Sequence, residues 1–262
     1  MTCVRDSWDG RIHRADELAG DGGPAASLLT FYSGLLRAQR DLYDSFGTRL
    51  SGAFERDLSS VRAAALPLLR YVVEHGPDLL VGEARRLLEA GEPTIEQALR
   101  AYWAAPADHQ FFAKAILQPY GQRLADAGIV PLDRSGARAG IRCPRCGGAP
   151  QVSILEAAPA ESGDGGARQL LCADCLTPWP FSRVLCPSCG EADEGKIGYF
   201  QSSTYAHLRL DVCETCRRYL KSVDLSRLGL AVPIVDEVAG ATLDLWARER
   251  GYEKIELNLA GL

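Results

Sequence analysis

Apolar residues recur every three or four positions from residue 25 to about 130, and the pattern changes after residue 141. In the first stretch Leu28, Leu29, Tyr32, Leu35, Leu36 and Gln39 fall near one helical face. The same period predicts helices over 54–66, 67–74, 78–89, 94–103 and 108–127. They are separated by Gly76-Pro77, by Gly91-Glu92-Pro93 and by Pro106. Thr94, with Gln97 three residues on, fits a capping box. Residues 1–23 carry no such period and run into Gly20-Asp21-Gly22-Gly23-Pro24, which predicts a mobile tail. The first half therefore reads as an all-helical domain over 24–135.

Val130-Pro131 and the Ser135-Gly136 to Gly140 stretch mark a linker. Beyond it the segments are short, β-branched and punctuated by Gly and Pro. Strands are expected over 151–155, 168–171 and 208–212, with a loose hairpin tip over 159–166. Helical spacing returns over 234–250, with Val235, Val238, Leu243, Leu245 and Trp246 as its apolar positions. Residues 255–259 form a short apolar tail that should dock on the rest. The predicted fold class is α+β: a helical N-terminal domain, two tandem small modules over 141–183 and 184–223, and a C-terminal helix with its docking tail over 224–262.

The cysteines say what the small modules are. Eight of the nine fall in four pairs of identical spacing: Cys143/Cys146, Cys172/Cys175, Cys186/Cys189 and Cys213/Cys216. Two residues between thiols let the chain turn tightly enough to aim both sulfurs at one ion, and a tetrahedral ion needs two such knuckles. Cys143-Pro144-Arg145-Cys146-Gly147 and Cys186-Pro187-Ser188-Cys189-Gly190 share one form. Pro fixes φ at the start of the turn, and Gly permits a left-handed residue after the second sulfur. The inserts make a repeat: 25 residues lie between Cys146 and Cys172, 10 between Cys175 and Cys186, and 23 between Cys189 and Cys213. Sequential pairing closes the shorter loops, giving two four-thiolate sites. Crossed pairing, first knuckle with third, is the alternative. Sulfur-only tetrahedral sites suit iron or zinc, and spacing does not choose between them.

Composition narrows the class further. Net charge is −5 and the pI is near 5.5, so no long-range field draws the chain to nucleic acid, and none is expected as a partner. No apolar run reaches the roughly 18 residues that span a bilayer. The N-terminus lacks the apolar stretch of a secretory signal, and a cytoplasmic protein is expected. No nucleophile–base pair, phosphate loop or HExxH helix appears, so an enzyme is not expected. His109, His207 and Cys3 are weaker candidates, read as ordinary residues. Trp179-Pro180-Phe181 reads as a packing wedge, and Arg217-Arg218-Tyr219 with Lys221 as a solvated basic strip.

The text around the knuckles resembles the FdhE family of accessory proteins for formate dehydrogenase maturation. The resemblance rests on Cys143-Pro-Arg-Cys-Gly-Gly-Ala-Pro150, Leu171-Cys-Ala-Asp-Cys175, Arg183-Val-Leu-Cys-Pro-Ser-Cys-Gly190 and Val212-Cys-Glu-Thr-Cys-Arg-Arg-Tyr-Leu-Lys221. Residues 236–244, Gly251-Tyr252, Asn258 and the early Leu35-Leu36-Arg37-Ala38-Gln39 add to it. The chain departs in its short N-terminal tail and in lacking a Pro after Asn258. The resemblance implies rubredoxin-like modules that bind iron, and a partner in the molybdenum- or tungsten-containing catalytic subunit of formate dehydrogenase. A rubredoxin-like electron carrier and a zinc-ribbon nucleic-acid-binding protein are the competing readings.

Overall fold

The computed structural model describes residues 7–47, 50–107, 110–133, 140–157 and 166–261. Helices come first: α1 (Trp8–Gly20), α2 (Ala26–Ser45), α3 (Phe54–His75), α4 (Asp78–Ala90), α5 (Glu92–Ala104) and α6 (Phe111–Asp126). Twelve of the sixteen residues of α6 are buried, which makes it the axis of the bundle rather than an amphipathic surface helix. Around it pack Leu35, Leu36, Val61, Leu68, Leu69, Leu99 and Tyr102, each no more than 1% exposed.

Three expectations about this region change. The tail expected over 1–23 contains α1, with Ser7 as N-cap accepting from Gly10 N at 3.1 Å. Its buried face holds only Trp8, Ile12 and Ala15 besides Arg11, too thin an apolar stripe to read as a helix. Polar partners complete the docking: Arg11 donates to Gln122 Oε1 at 2.9 Å, and Arg14 to Asp236 at 2.7 and 3.1 Å. The break expected at Pro67 is absent, because α3 runs through it for 22 residues with Ala65, Leu68 and Leu69 buried on either side. The capping box at Thr94 is also absent. Gly91, at φ +79°, is the N-cap and Pro93 sits in the first turn, so α5 begins two residues before Thr94.

The second half builds one mixed sheet from β1 (Pro150–Leu155), β2 (Arg168–Cys172), β3 (Pro178–Pro180), β4 (Ile197–Gln201), β5 (Leu208–Cys213), β6 (Arg218–Asp224) and β7 (Glu253–Lys254). Strand order is β3-β2-β1-β6-β5-β4, with β7 pairing β6 beside that path. Neighbours pair antiparallel except at two junctions, β1 with β6 and β6 with β7. The β1–β6 junction joins the two cysteine units. Ser153, Ile154 and Leu155 lie opposite Ser222, Val223 and Asp224, and Val152 shares a core with Leu208 and Val223. The expected hairpin tip over 159–166 lies almost wholly outside the described residues, although β1 and β2 pair on either side of it.

The single helix expected over 234–250 is two, α7 (Pro233–Ala239) and α8 (Ala241–Glu249), parted at Gly240. Every residue of α7 is buried. Ile234, Val235 and Val238 join the helical core, so α7 links bundle to sheet. The apolar tail does dock: Leu259 is 3% exposed in the same core, and Lys114 of α6 donates to Glu256 and to the Leu257 carbonyl.

Candidate metal centres

Three of the knuckles sit where a strand ends or is about to begin, the third, Cys186–Cys189, lies in the join between β3 and β4, and one backbone device closes all four. The residue after the second cysteine is left-handed in every case: Gly147 at φ +73°, Leu176 at +54°, Gly190 at +80° and Arg217 at +55°. In three of the knuckles the structure shows that residue's amide donating to the carbonyl of the first cysteine, Gly147 to Cys143, Gly190 to Cys186 and Arg217 to Cys213, at 2.9–3.0 Å. Glycine was expected at the two Pro-containing knuckles. The other two place a side-chain-bearing residue in the same conformation, which costs on the order of 1 kcal/mol or more. Amides two residues on also point at sulfur, Asp174 N to Cys172 and Ser188 N to Cys186, both at 3.4 Å.

The sulfurs gather sequentially. Cys143, Cys146, Cys172 and Cys175 form one group, and Cys186, Cys189, Cys213 and Cys216 the other, with all sulfurs of a group within 4.8 Å of one another. Measured pairs are 3.4–3.7 Å apart in the first group and 3.8 Å in the second. These separations are far beyond an S–S bond of about 2.05 Å. They match the edge of a tetrahedron whose centre lies about 2.3 Å from each sulfur, roughly 3.8 Å. The donor set and its spacing thus fit one thiolate-bound ion per group.

Electrostatics agree with that fit. Hydrogen bonding among the sulfurs pulls the first group apart: Cys146 drives the Cys143 thiol far down, and Cys143 drives Cys146 far up. Burial pushes Cys172 well up, and Cys186 up to about 12. Four thiols this close share protons unequally, and a central cation is what lets all four act as thiolates together.

The two centres differ in their surroundings. In the first, Cys143, Cys146, Cys172 and Cys175 are at most 3% exposed and pack with Leu170, Trp179 and Leu220. Trp179 is the wedge the sequence pointed to, at the middle of β3, with its indole donating to the Gly140 carbonyl at 3.2 Å. The bundle grips this centre from behind. Gln118 donates to the Ala173 carbonyl at 2.8 Å, Tyr102 donates to Asp174 at 2.9 Å, and Gly121 of α6 lets the Asp174 carbonyl come within 2.5 Å of where a Cβ would stand. In the second centre Cys186 and Cys213 are 3% exposed, Cys216 is half-buried and Cys189 is exposed. Its links are superficial: Thr215 donates to Glu191 at 2.6 Å, while Glu214 accepts from Arg217 and Tyr252.

Two lysines, one of them read from the sequence as surface, prove to be buried connectors. Lys221, expected in a solvated strip, is fully buried and donates to the Glu237 carbonyl and to Asp244. Lys254 reaches the same two acids, Tyr219 donates to Asp244 at 2.8 Å, and Asn258 donates to Glu237 at 2.8 Å. Burial lowers the Lys254 pKa. Burial alone would raise Asp244, but Lys221 and Lys254 hold it below the usual carboxylate range. His207 lies 3.0 Å from Asp236 and belongs to neither sulfur group. Cys3 and His109 fall outside the described residues. Alternation did not reveal this lattice, because Lys, Asp and Glu at buried positions read as surface. The sequence signal was the apolar setting of Lys221, near Leu220 and Val223, and of Asp244, between Leu243 and Leu245, whereas Glu237 and Lys254 each have an acid beside them.

Comparison with known proteins follows the same division of the chain. Residues 142–183 match the family model described as FdhE, central domain, and residues 184–260 match FdhE, C-terminal domain. A protein FdhE homolog from Aquifex aeolicus is 33% identical over 198 residues, covering 74% of this chain and 68% of that one. One from Shewanella oneidensis is 28% identical over 155 residues, 59% of this chain and 50% of its own length. The crystal structure of the FdhE protein from Pseudomonas aeruginosa superposes with a TM-score of 0.72 at 24% identity, covering 99% of this chain and 97% of the other, which establishes a common fold. With its two four-cysteine groups, its mixed sheet and its sequence all in agreement, the chain belongs to the FdhE family.

Proposed function

We propose that each sulfur group holds one metal ion, iron or zinc, through Cys143, Cys146, Cys172 and Cys175 in the first centre and Cys186, Cys189, Cys213 and Cys216 in the second. On this reading the chain is a cytoplasmic accessory protein for formate dehydrogenase that associates with the catalytic subunit during its maturation and is not itself an enzyme. The observation that carries it is the pairing of eight sulfurs into two tetrahedral sets within a member of the FdhE family. A bound ion supplies coordination bonds that replace a core too small to fold alone, and iron would add a one-electron couple. The protein's own part is to hold the thiolates in register and to present a stapled sheet edge beside the bundle. Among the described residues no helix is long and apolar enough to cross a membrane.

Elemental analysis of protein purified without oxygen or added zinc tests the centres, with two ions per chain expected. A tagged chain expressed with formate dehydrogenase under anaerobic growth on formate tests the partner. Recovery of the catalytic subunit supports the proposal, and a clean tag eluate without it counts against it. A colourless protein holding two zinc ions removes the electron-carrier alternative.

A further inference from the structure

We infer that the second centre is an exchange site, which gives up and accepts its ion through an incoming anionic ligand, while the first keeps its ion as a fixed staple. This rests on both groups holding metal. Ligand exchange at a tetrahedral thiolate centre proceeds when a fifth donor reaches an open face of the tetrahedron. The first centre is the more closed: its four cysteines are at most 3% exposed, and of them only Cys175 borders a cavity, of about 510 Å³, where Arg11 and Arg145 are balanced by Asp126 and Glu156; its second knuckle is held by Gln118, Tyr102 and Gly121. An incoming ligand there must wait for local unfolding.

The second centre is open on two sides. Cys189 is exposed and Cys216 half-buried toward solvent. On the other side Cys186 and Cys213 line a cavity of about 330 Å³ between the two cysteine units. Arg168, Arg183, Arg209 and Arg218 line that cavity against only two acids, Glu194 and Asp211. Asp211 is already engaged, accepting from Arg168 at 3.0 Å and Ser222 at 2.6 Å and paired with Arg209 at 2.8 Å. Within a chain of net charge −5, this is a local excess of positive charge beside the buried sulfurs. It favours a thiolate or carboxylate as the incoming donor. Exchange begins when one bond forms from the ion to the incoming anion and the bond from the ion to Cys189 breaks, and the three remaining sulfur bonds are then displaced in turn by further donor atoms. The Cys189 thiolate passes to solvent, and no electron moves.

Zinc-loaded whole chain, shown by elemental analysis to carry two ions, is mixed with excess EDTA and release is followed in time. One equivalent should leave in a fast phase and the other at least about tenfold more slowly, since each 1.4 kcal/mol of opening slows release tenfold. Cys189→Ser, and independently Cys216→Ser, should either start with close to one zinc ion or release the second still faster, and should keep the slow phase unchanged, with far-UV circular dichroism unchanged. The double variant Arg183→Gln/Arg218→Gln should slow the fast phase with EDTA and leave it unchanged with the neutral chelator 1,10-phenanthroline. Release of both equivalents in one phase overturns the inference. So does a fast phase unchanged in both amplitude and rate in the two cysteine variants, or an arginine effect equal for the two chelators, which would mean that the arginines only balance the thiolate charge. Fewer than two zinc ions at the outset refutes the two-centre reading first, and this inference with it.

Discussion

Replacing Lys221 with Met tests whether the buried charges hold the sheet to its C-terminal helices. In the native chain two ammonium groups, Lys221 and Lys254, face two carboxylates, Glu237 and Asp244, and the side chains of all four are 0% exposed. Met matches the volume of Lys closely, so packing is nearly conserved and the charge count is not. Two buried carboxylates would be left with one ammonium. Glu237 would keep Lys254 and Asn258, while Asp244 would keep Tyr219 and the more distant Lys254, 3.5 Å away. Removing one member of a buried ion pair costs about 3–5 kcal/mol. At about 2–4 °C per kcal/mol for a chain of this size, Tm should fall by roughly 6–20 °C. The assay is thermal unfolding of metal-loaded protein followed by circular dichroism. Lys221→Met/Glu237→Gln restores the balance at one ammonium to one carboxylate, and should recover part of the loss through a coupling of about 0.5–3 kcal/mol. A single variant within about 1 kcal/mol of the parent, or a double variant equal to the sum of the two singles, would show that the lattice is not acting as a unit.

Gly121→Val should push α6 away from the Asp174 carbonyl, costing about 1–3 kcal/mol and loosening the first centre, measured as faster release of the slow zinc equivalent. Asp236 gives an acid limit. Although burial raises its pKa, His207 and Arg14 more than offset that and hold it below the usual range. Its stabilisation is therefore complete above the unfolded value near 3.9 and is lost as pH falls below that through the folded value. The urea midpoint of Asp236→Asn should thus fall less steeply than that of the parent between about pH 4 and pH 3, metal loss being common to both. A fragment of residues 184–261 should fail to fold with zinc, because β6 loses β1 and Val223 loses Val152. A dispersed, cooperative unfolding transition in that fragment would contradict this.

The two four-cysteine groups were legible because chemistry fixes them locally. A Cys-x-x-Cys knuckle carries its own turn, and the 10-residue join against inserts of 25 and 23 residues favoured sequential over crossed pairing. Of the strands beside the knuckles, β1, β2 and β5 were legible from their apolar, β-branched runs, whereas β4 and β6 were not, β6 beginning at Arg218 in the stretch that read as a solvated basic strip. What stayed hidden depends on distant partners. Trp8 and Ile12 make a helix only once Arg11 has met Gln122 and Arg14 has met Asp236, more than 100 residues away. Pro67 reads as a stop because proline removes a helix donor, yet the buried neighbours on both sides outweigh one missing bond. Lys221 reads as surface because lysine nearly always is, and only the fold brings two acids from α7 and α8 to meet it.

The repeat does not say how its two copies sit together, and that arrangement bears on function. The two copies of knuckle, hairpin and knuckle share one sheet, in which the third strand of the second copy pairs in parallel with the first strand of the first. Parallel pairing requires a long crossover between the strands, and here it runs through the rest of the first copy and nearly all of the second, from residue 156 to 217. The second copy is therefore held at one edge by the first, while its far edge, β4, exposes Tyr199 and Phe200 and stays with solvent. The first copy lies between the second and the helices, and its sulfurs are buried as a consequence of that position. Equal sets of four cysteines in unequal positions leave one group buried and the other partly exposed to solvent. That difference arises from strand order, and no feature of the cysteine spacing encodes it.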